Sequence, residues 1–189
     1  TNATTLSENT TTEGTNACAT PFSTSLCGLN TTTSHTVFYE YTVPGTNIKS
    51  TNLEISINPS TATTGSAANA IAIEFFQNCS GTLLPVTVDS GDPCNALGST
   101  ITLSCMAPGT NIVIAVGSAD GDEGDFTINV DENDTSIPDN DLCTNPTVIN
   151  ILADCDFQTE NGDNTGACPE NVIGGACMLD NIPTLWYEV

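Results

Sequence analysis

The sequence predicts an all-β fold, an antiparallel β-sandwich of the jelly-roll or immunoglobulin-like kind, present as repeats and clasped by disulfides. Short runs alternate between apolar and polar side chains, which is the period of a strand with one buried face. Turn-forming pairs such as Pro44-Gly45, Asp92-Pro93 and Pro108-Gly109 separate these runs. No helical period competes with the alternation. Short strands with one apolar face, spaced by such turns, are typical of a sandwich.

The apolar positions place seven strands between residues 37 and 130. Threonines are frequent on the opposite faces of these strands, where a β-branched polar side chain suits a solvated pleat. The predicted inward-facing residues are, in chain order, Val37, Tyr39, Tyr41 and Val43; Leu53, Ile55 and Ile57; Ile71, Ile73 and Phe75; Leu84, Val86 and Val88; Ile101, Leu103 and Cys105; Ile112, Ile114 and Val116; and Phe126, Ile128 and Val130.

An internal repeat divides the chain. The segment Asn16-Ala17-Cys18-Ala19-Thr20-Pro21 recurs as Asp141-Leu142-Cys143-Thr144-Asn145-Pro146, and a second cysteine and an aromatic strand follow each copy. The aromatic strands align Phe38-Tyr39-Glu40 with Trp186-Tyr187-Glu188. We therefore expect four parts: residues 1–15, a linker or the end of a preceding module; 16–131, a complete module; 132–140, an acidic linker; and 141–189, the N-terminal part of a second, incomplete module.

The charge balance excludes several classes of partner. The chain has 23 acidic residues against one basic residue, Lys49, and a formal net charge of -22. Such a surface repels phosphate backbones and anionic lipid headgroups, so we expect no nucleic acid as a partner. No apolar stretch approaches the ~18 residues of a membrane span, so we expect no membrane insertion. The apolar runs also argue against disorder.

Nine cysteines predict a disulfide framework and an oxidising, extracellular compartment. The only histidine, His35, has no close cysteine or aspartate, which argues against structural zinc. If the runs at 70–77, 83–88 and 99–105 alternate in direction, Cys79 and Cys105 lie at one pole, within the short distance that a disulfide needs. The predicted pairs are Cys18–Cys27, Cys79–Cys105, Cys143–Cys155 and Cys168–Cys177, and Cys94 is left as a buried thiol or the partner of an unseen cysteine.

Two acidic clusters are candidate calcium sites. Asp120, Asp122 and Asp125 crowd a tight loop, although the loop lacks the spacing and terminal glutamate of an EF-hand. Asp131, Asp134, Asp139 and Asp141 lie at the junction between the two units, where hard oxygen ligands would suit a calcium ion that stiffens two modules. The alternatives are a solvated turn for the first cluster and a flexible acidic linker for the second.

The sequence offers little for catalysis. His35 is the only neutral-pH base, and its neighbour Ser34 would point to the opposite face of a strand, so the two cannot form an activated pair. Glu40, Glu54 and Glu74 are candidate carboxylates for glycoside hydrolysis, but each is predicted to be isolated and to face outward. We expect no enzymatic activity.

Several motifs resemble those of a known family. Phe76-Gln77-Asn78-Cys79-Ser80-Gly81, the run from Leu103 to Thr110 and the run from Gly124 to Val130 resemble the repeated β-sandwich modules of very large Bacteroidota surface proteins. These modules are similar to the pre-peptidase C-terminal domain. The resemblance implies a structural role in tandem arrays of secreted adhesins, including gliding-motility filaments exported by the type IX system, and calcium near the linkers. The chain departs from the pattern in having Phe38 where tryptophan is usual and in lacking a third cysteine before the aromatic strand.

We therefore expect a non-catalytic repeat of an extracellular adhesin or filament, whose partners are neighbouring repeats and other copies in a filament. Its surface or glycan ligand is left open. The alternative is a carbohydrate-binding or accessory module of a secreted enzyme, with Tyr39, Tyr41, Trp186 and Tyr187 as sugar platforms. Tyr39 and Tyr41 share the parity of Val37 and Val43, which predicts that they lie in the core.

Overall fold

The computed structural model describes residues 2–20, 35–60, 71–79, 82–86, 88–117, 123–150, 161–169 and 183–188, with the backbone alone for 77–79 and 82–85. None of these residues forms a helix that is long and apolar enough to cross a membrane. The strands, in chain order, are β1 (Thr4–Thr5), β2 (Thr12–Thr15), β3 (Thr36–Thr42), β4 (Thr51–Pro59), β5 (Ala72–Cys79), β6 (Thr82–Pro85), β7 (Ser99–Met106), β8 (Asn111–Gly117), β9 (Asp125–Asn133), β10 (Thr147–Val148) and β11 (Tyr187–Glu188), with a short 3-10 helix at Pro93–Asn95.

Two sheets pack face to face. The first has the strand order β1-β3-β8-β5-β6 and the second has the order β2-β9-β4-β7. All of their pairings are antiparallel except that of β1 with β3. The predicted antiparallel β-sandwich is confirmed, and β3 to β9 are the seven predicted strands.

The core follows the predicted alternation. Inward-facing residues of both sheets, such as Ile55 and Ile114, are 1% exposed. The neighbours of Ile55 in β4 are partly exposed, whereas Val113 and Ala115 beside Ile114 are buried in a second, smaller apolar cluster with Phe76. Tyr39 and Tyr41 are 4% and 3% exposed, so the predicted core position of these two tyrosines is confirmed. The Tyr39 ring meets Phe126 edge to face, with ring centroids 6.0 Å apart. Such a contact adds to the stabilisation from burial alone.

Part of the segment expected to be a linker belongs to the sandwich. β1 pairs with β3 and β2 pairs with β9, so residues 4–5 and 12–15 add an edge strand to each sheet. Leu6 is 5% exposed and lies in the main hydrophobic cluster. The pattern of apolar residues did not predict these strands, because they are rich in threonine and an edge strand needs little apolar surface. The predicted division of the chain into units otherwise stays a prediction.

The third of the three strands that were expected to alternate in direction, β7, does not lie beside the second. β5 and β6 pair in the first sheet, whereas β7 crosses to the second sheet and pairs with β4. The strand that ends at Cys105 is therefore not the meander neighbour of β6. This crossing changes which part of the chain Cys105 can reach.

Candidate functional site

The candidate site is the contact between the sandwich and the segment that follows β9, and we call it the joint. It comprises Lys49–Asn52 and Leu103–Met106 on the sandwich, and residues 134–141 and 166–168 on the following segment. It contains the Cys105–Cys168 disulfide and three of the four junction aspartates that were predicted to bind calcium, Asp134, Asp139 and Asp141.

A β-bulge aims Cys105 out of the second sheet. Thr51 lies opposite Met106 and Leu53 lies opposite Leu103, so Asn52 faces the two residues Ser104 and Cys105. Cys105 has a φ of 61°, in the left-handed region, and its N–H donates to Asn52 Oδ1 at 3.0 Å. An extra residue in one strand breaks the period of two and turns the strand. Cys105 therefore leaves the inward face that its parity predicted and is half-buried.

Cys105 forms a disulfide with Cys168, 63 residues further along the chain. The predicted pairs Cys79–Cys105 and Cys168–Cys177 are therefore wrong, because each sulfur forms one such bond. The physical reason is that β7 lies in the second sheet, where its end meets the segment after β9 and not the turn after β5. The bond fastens this segment covalently to the sandwich.

The other cysteines also depart from prediction. Cys18 and Cys143 are exposed free thiols, so the predicted local clasps Cys18–Cys27 and Cys143–Cys155 are not formed. Cys27, Cys155 and Cys177 lie outside the described residues. Cys94 is disulfide-bonded and is not a thiol. This agrees with the second of the two alternatives that the sequence left for it.

Asp141 is the buried polar centre of the joint. The residue is fully buried, and its Oδ1 accepts the N–H of Cys168 at 2.5 Å. Its Oδ2 accepts the N–H of Ser50 at 3.4 Å, so one carboxylate joins the segment to the sandwich loop. Buried N–H groups require such partners, because an unsatisfied one costs about 1 to 3 kcal/mol.

The repeat-equivalent residue, Asn16, has the same kind of role in the first unit. It is also fully buried, and its Oδ1 accepts the N–H of Gly124 at 2.8 Å. The polar residue that opens each copy of the motif therefore binds a backbone amide far away in the chain. The sequence identified the repeat but did not predict that its first residue accepts a hydrogen bond from a distant backbone amide. The recurrence of Asn or Asp at this position was the sequence feature that could have predicted it.

Lys49 lies against the acidic segment. Its Nζ donates to Asp139 Oδ1 at 3.1 Å and to the Ile137 carbonyl at 2.9 Å, and lies 3.6 Å from Asp134 Oδ2. Its side chain is only 14% exposed, whereas those of Asp134 and Asp139 are 52% and 82% exposed. The one basic residue of the chain thus neutralises part of the negative charge of the junction.

The four aspartates predicted to bind calcium at the junction do not converge. Asp134 and Asp139 meet Lys49, Asp141 binds backbone amides, and Asp131 Oδ2 accepts the Asn129 side chain at 2.8 Å. No group of three or more histidine, cysteine, aspartate or glutamate side chains in the described ranges is arranged to hold a metal ion. Calcium stays a prediction, and Lys49 is the cation that the structure places there.

The acidic loop before β9 is described only in part. Asp120 and Asp122 lie outside the described residues. Asp125 begins β9 opposite Thr15, and its carbonyl accepts the Ser60 N–H at 3.2 Å. The prediction of a calcium site in this loop is not tested by these contacts.

Close packing at Gly166 completes the joint. A Cβ on Gly166 would lie 2.0 Å from the Ser136 carbonyl oxygen, and the glycine has a φ of +81°. No other residue type fits both constraints. Ile137, Ala167 and Cys168, with exposures of 3%, 6% and 2%, form the apolar part of this contact.

The candidate catalytic residues are dispersed. His35 Nδ1 lies 2.7 Å from Glu123 Oε1, with both side chains partly exposed. Glu40 Oε1 accepts the Thr5 hydroxyl at 2.9 Å, on the edge of the first sheet. Glu54, in the second sheet, accepts the Asn133 amide at 2.9 Å. His35 precedes β3 and Glu40 lies in β3 of the first sheet, whereas Glu54 lies in β4 of the second sheet.

Glu74 borders a small cavity of about 250 Å³, which Phe75, Val86 and Pro93 also line. Burial raises the pKa of this carboxyl group, and its Oε2 has no hydrogen-bond partner. Among the described residues that line the cavity, Glu74 is the only acid or base. A glycosidase uses a pair of carboxylates.

A polar cavity of about 370 Å³ lies beside Lys49, lined in part by Glu8 and Glu132. The Tyr41 hydroxyl donates to Glu132 Oε1 at 2.6 Å, and the Asn47 side chain donates to Oε2 at 2.9 Å. Burial is the main cause that raises the pKa of Tyr41, followed by the bond to Glu132. The ring of Tyr41 is therefore core, and its hydroxyl binds Glu132, which lines this cavity.

Among the other candidate sugar-binding aromatics, Tyr187 is 38% exposed and Trp186 is half-buried. The Tyr187 hydroxyl lies close to Gly162, where a Cβ would be 2.4 Å from it. Two of the four predicted platform residues, Tyr39 and Tyr41, are in the core.

Comparison with known proteins identifies no family. No protein-family model matches the chain, and no curated protein matches it. Among solved structures, the chain is similar to the pre-peptidase C-terminal domain of collagenase from Bacillus anthracis, at 16% identity over 68% of this chain and 93% of that chain, with a TM-score of 0.35. The fold assignment rests on the strand pairings and not on this similarity.

Proposed function

We propose that the chain is a non-catalytic structural repeat of an extracellular surface adhesin or filament, in which the joint holds the following segment in a fixed orientation. The observation that carries the proposal is the combination of a long-range disulfide, Cys105–Cys168, with the buried Asp141 that binds amides on both sides. A flexible connection between repeats would need neither.

The joint resists opening for a physical reason. Separation of the segment from the sandwich would expose Ile137 and leave the N–H group of Ser50 without its acceptor, Asp141. Burial of apolar area and satisfied buried amides both favour the closed joint. A repeat that keeps its orientation transmits force and sets the direction of an array.

The chemistry of the chain supports an extracellular location. Disulfides persist in oxidising compartments, and the chain has a disulfide between Cys105 and Cys168 and a second bond at Cys94. Lys49 is the only site for trypsin-like proteases, which suits a long-lived secreted protein. In this proposal the partners are neighbouring repeats and other copies in a filament.

The alternative proposal is a carbohydrate-binding or accessory module of a secreted enzyme. It would now depend on Trp186 and Tyr187, because Tyr39 and Tyr41 are 4% and 3% exposed. A sugar platform needs an accessible ring face. The structural repeat is therefore the proposal that we favour.

The test uses two glycines with nearly the same backbone conformation. Gly166 and Gly109 have φ values of +81° and +79°, but a Cβ on Gly109 would meet nothing within 4 Å. Gly166→Ala and Gly109→Ala therefore share the backbone penalty, and only Gly166→Ala adds a clash with Ser136. Hydrogen exchange, with peptic digestion because the chain has a single basic residue, reports the opening of each segment.

We expect slow exchange over 134–141 and 166–168 in the unmodified chain, and at least about tenfold faster exchange there in Gly166→Ala but not in Gly109→Ala. Strands β4 and β9 should keep their protection in both variants. Unprotected amides at the joint of the unmodified chain would contradict the proposal. Equal exchange in the two variants would show that the close contact at Gly166 does not hold the segment.

A further inference from the structure

The small sheet formed by β10 and β11 repeats the pairing of β1 with β3. Both pairs are parallel and two residues long. Thr4 lies opposite Tyr39 in the first pair, and Thr147 lies opposite Tyr187 in the second. Tyr39 and Tyr187 are the residues that the internal repeat aligns. β11 therefore occupies the position of β3 in a second copy of this arrangement.

The hydrogen bonds agree with this equivalence. The N–H of Leu6 donates to the Glu40 carbonyl at 2.8 Å, and the N–H of Ile149 donates to the Glu188 carbonyl at 2.7 Å. In both pairs the glutamate backbone faces the short parallel strand. Because the backbone groups of neighbouring residues in a strand point to opposite sides, those of the preceding tyrosine point away from it.

In the first unit, β8 lies on the side of β3 to which the backbone N–H and C=O groups of Tyr39 point. β3 and β8 are antiparallel, with Tyr39 opposite Ile114. On the corresponding side of β11, no described strand is paired. The sheet also exposes two large apolar side chains, since Val148 is 56% exposed and Tyr187 is 38% exposed. An unpaired strand edge is a template for another strand.

We propose that the open edge of β11 binds an extended, antiparallel segment with the alternating Ile and Val pattern of β8, in the register that places an isoleucine opposite Tyr187. This deepens the proposed function, because it rests on β11 being the start of a second repeat. The interaction is strand addition, in which backbone hydrogen bonds supply affinity and the alternate side chains supply specificity. The residue pattern of the bound segment is inferred from β8, the strand that pairs with β3 in the first unit.

A β8 peptide, acetylated and amidated over the sequence Asn-Ile-Val-Ile-Ala-Val-Gly of 111–117, is the direct probe. The amides of Ile112 and Ile114 face β3 in the sandwich, whereas those of Val113 and Ala115 face β5, as the pairings on either side of β8 require. A peptide N-methylated at Val113 and Ala115 keeps the edge that β11 needs and blocks peptide self-assembly. A peptide N-methylated at Ile112 and Ile114 is the matched control.

Binding to the full chain is followed by the fluorescence of Trp186, the only tryptophan, and by the amide resonance of Tyr187. We expect saturable binding of the first peptide in a 1:1 ratio and at least about tenfold weaker binding of the control, which lacks the two inward amides. Tyr187→Pro removes the outward N–H and should abolish binding. Tyr187→Ala keeps the N–H and should retain binding.

Three outcomes would overturn the proposal. Equal binding of the two peptides would indicate nonspecific apolar adsorption, and no binding at about 1 mM peptide would indicate a closed edge. A concentration-dependent dimer of the chain, lost in Tyr187→Pro, would assign the edge to a second copy. None of these results changes the exchange of Gly166→Ala against Gly109→Ala, so a failure here is distinguishable from a failure of the proposed function.

Discussion

Removal of the Cys105–Cys168 disulfide should be among the most damaging changes to this chain. The bond closes a loop with a sequence separation of 63 residues. In the chain-entropy description, a loop of that length constrains the unfolded state by about 4 kcal/mol at 25 °C. The double variant Cys105→Ser with Cys168→Ser keeps the left-handed backbone at position 105, whose cost it does not relieve. We therefore expect a loss of about 3 to 4 kcal/mol in the free energy of unfolding.

Urea denaturation without reductant measures this loss. Cys143→Ser is the matched control, because Cys143 is an exposed free thiol, and it should change the free energy of unfolding by less than about 0.5 kcal/mol. The total stability of a domain is about 5 to 15 kcal/mol, so the double variant should unfold at clearly lower urea. A loss below about 1 kcal/mol, or an equal loss in the control, would refute the reasoning that this bond secures the joint.

Three further predictions concern the charged and buried polar groups. Asp141→Ala should lower the free energy of unfolding in urea by about 2 kcal/mol or more, because it leaves two buried amides unpaired. Asp139→Ala removes a side chain that is 82% exposed and should lower it by less than about 1 kcal/mol, so equal losses would contradict this prediction. Lys49→Met should lower the free energy of unfolding by about 1 kcal/mol at low ionic strength. The difference in melting temperature between this variant and the unmodified chain should shrink with added salt, and a salt-independent difference would argue against a charge effect. Burial raises the pKa of Tyr39 from 10 to about 12 and also raises that of Tyr41, so the folded state holds these protons more tightly. The contribution of Tyr39 to stability is complete below pH 10 and is lost as the pH rises through about 12. The free energy of unfolding of Tyr39→Phe should therefore decline less steeply than that of the unmodified chain over this range, and identical profiles would exclude Tyr39 as a cause.

The strands were predictable because their signal is local. In β4, Leu53, Ile55 and Ile57 recur at every second position, and the structure buries all three at 1% exposure or less. The repeat likewise located Asp141 and Tyr187 by their alignment with residues of the first unit. It could not assign their contacts, because the groups that they meet are distant in sequence.

The joint was not predictable in the same way. Lys49 and Asp139 are 90 residues apart, and their contact depends on the path of β9 and of the segment after it. The edge strands β1 and β2 were missed because threonine-rich strands at the edge of a sheet bury little apolar surface. Each of these features depends on which elements become neighbours.

The amino-acid sequence by itself determined the all-β class, the strands, the inward faces and the acidic surface, since alternation and charge depend only on near neighbours. The tertiary structure decided that β7 joins the second sheet and that a bulge opposite Asn52 turns Cys105 toward Cys168. Disulfide partners require close approach in space, and that approach follows from packing two faces together. The spacing of cysteines along the chain does not contain this information.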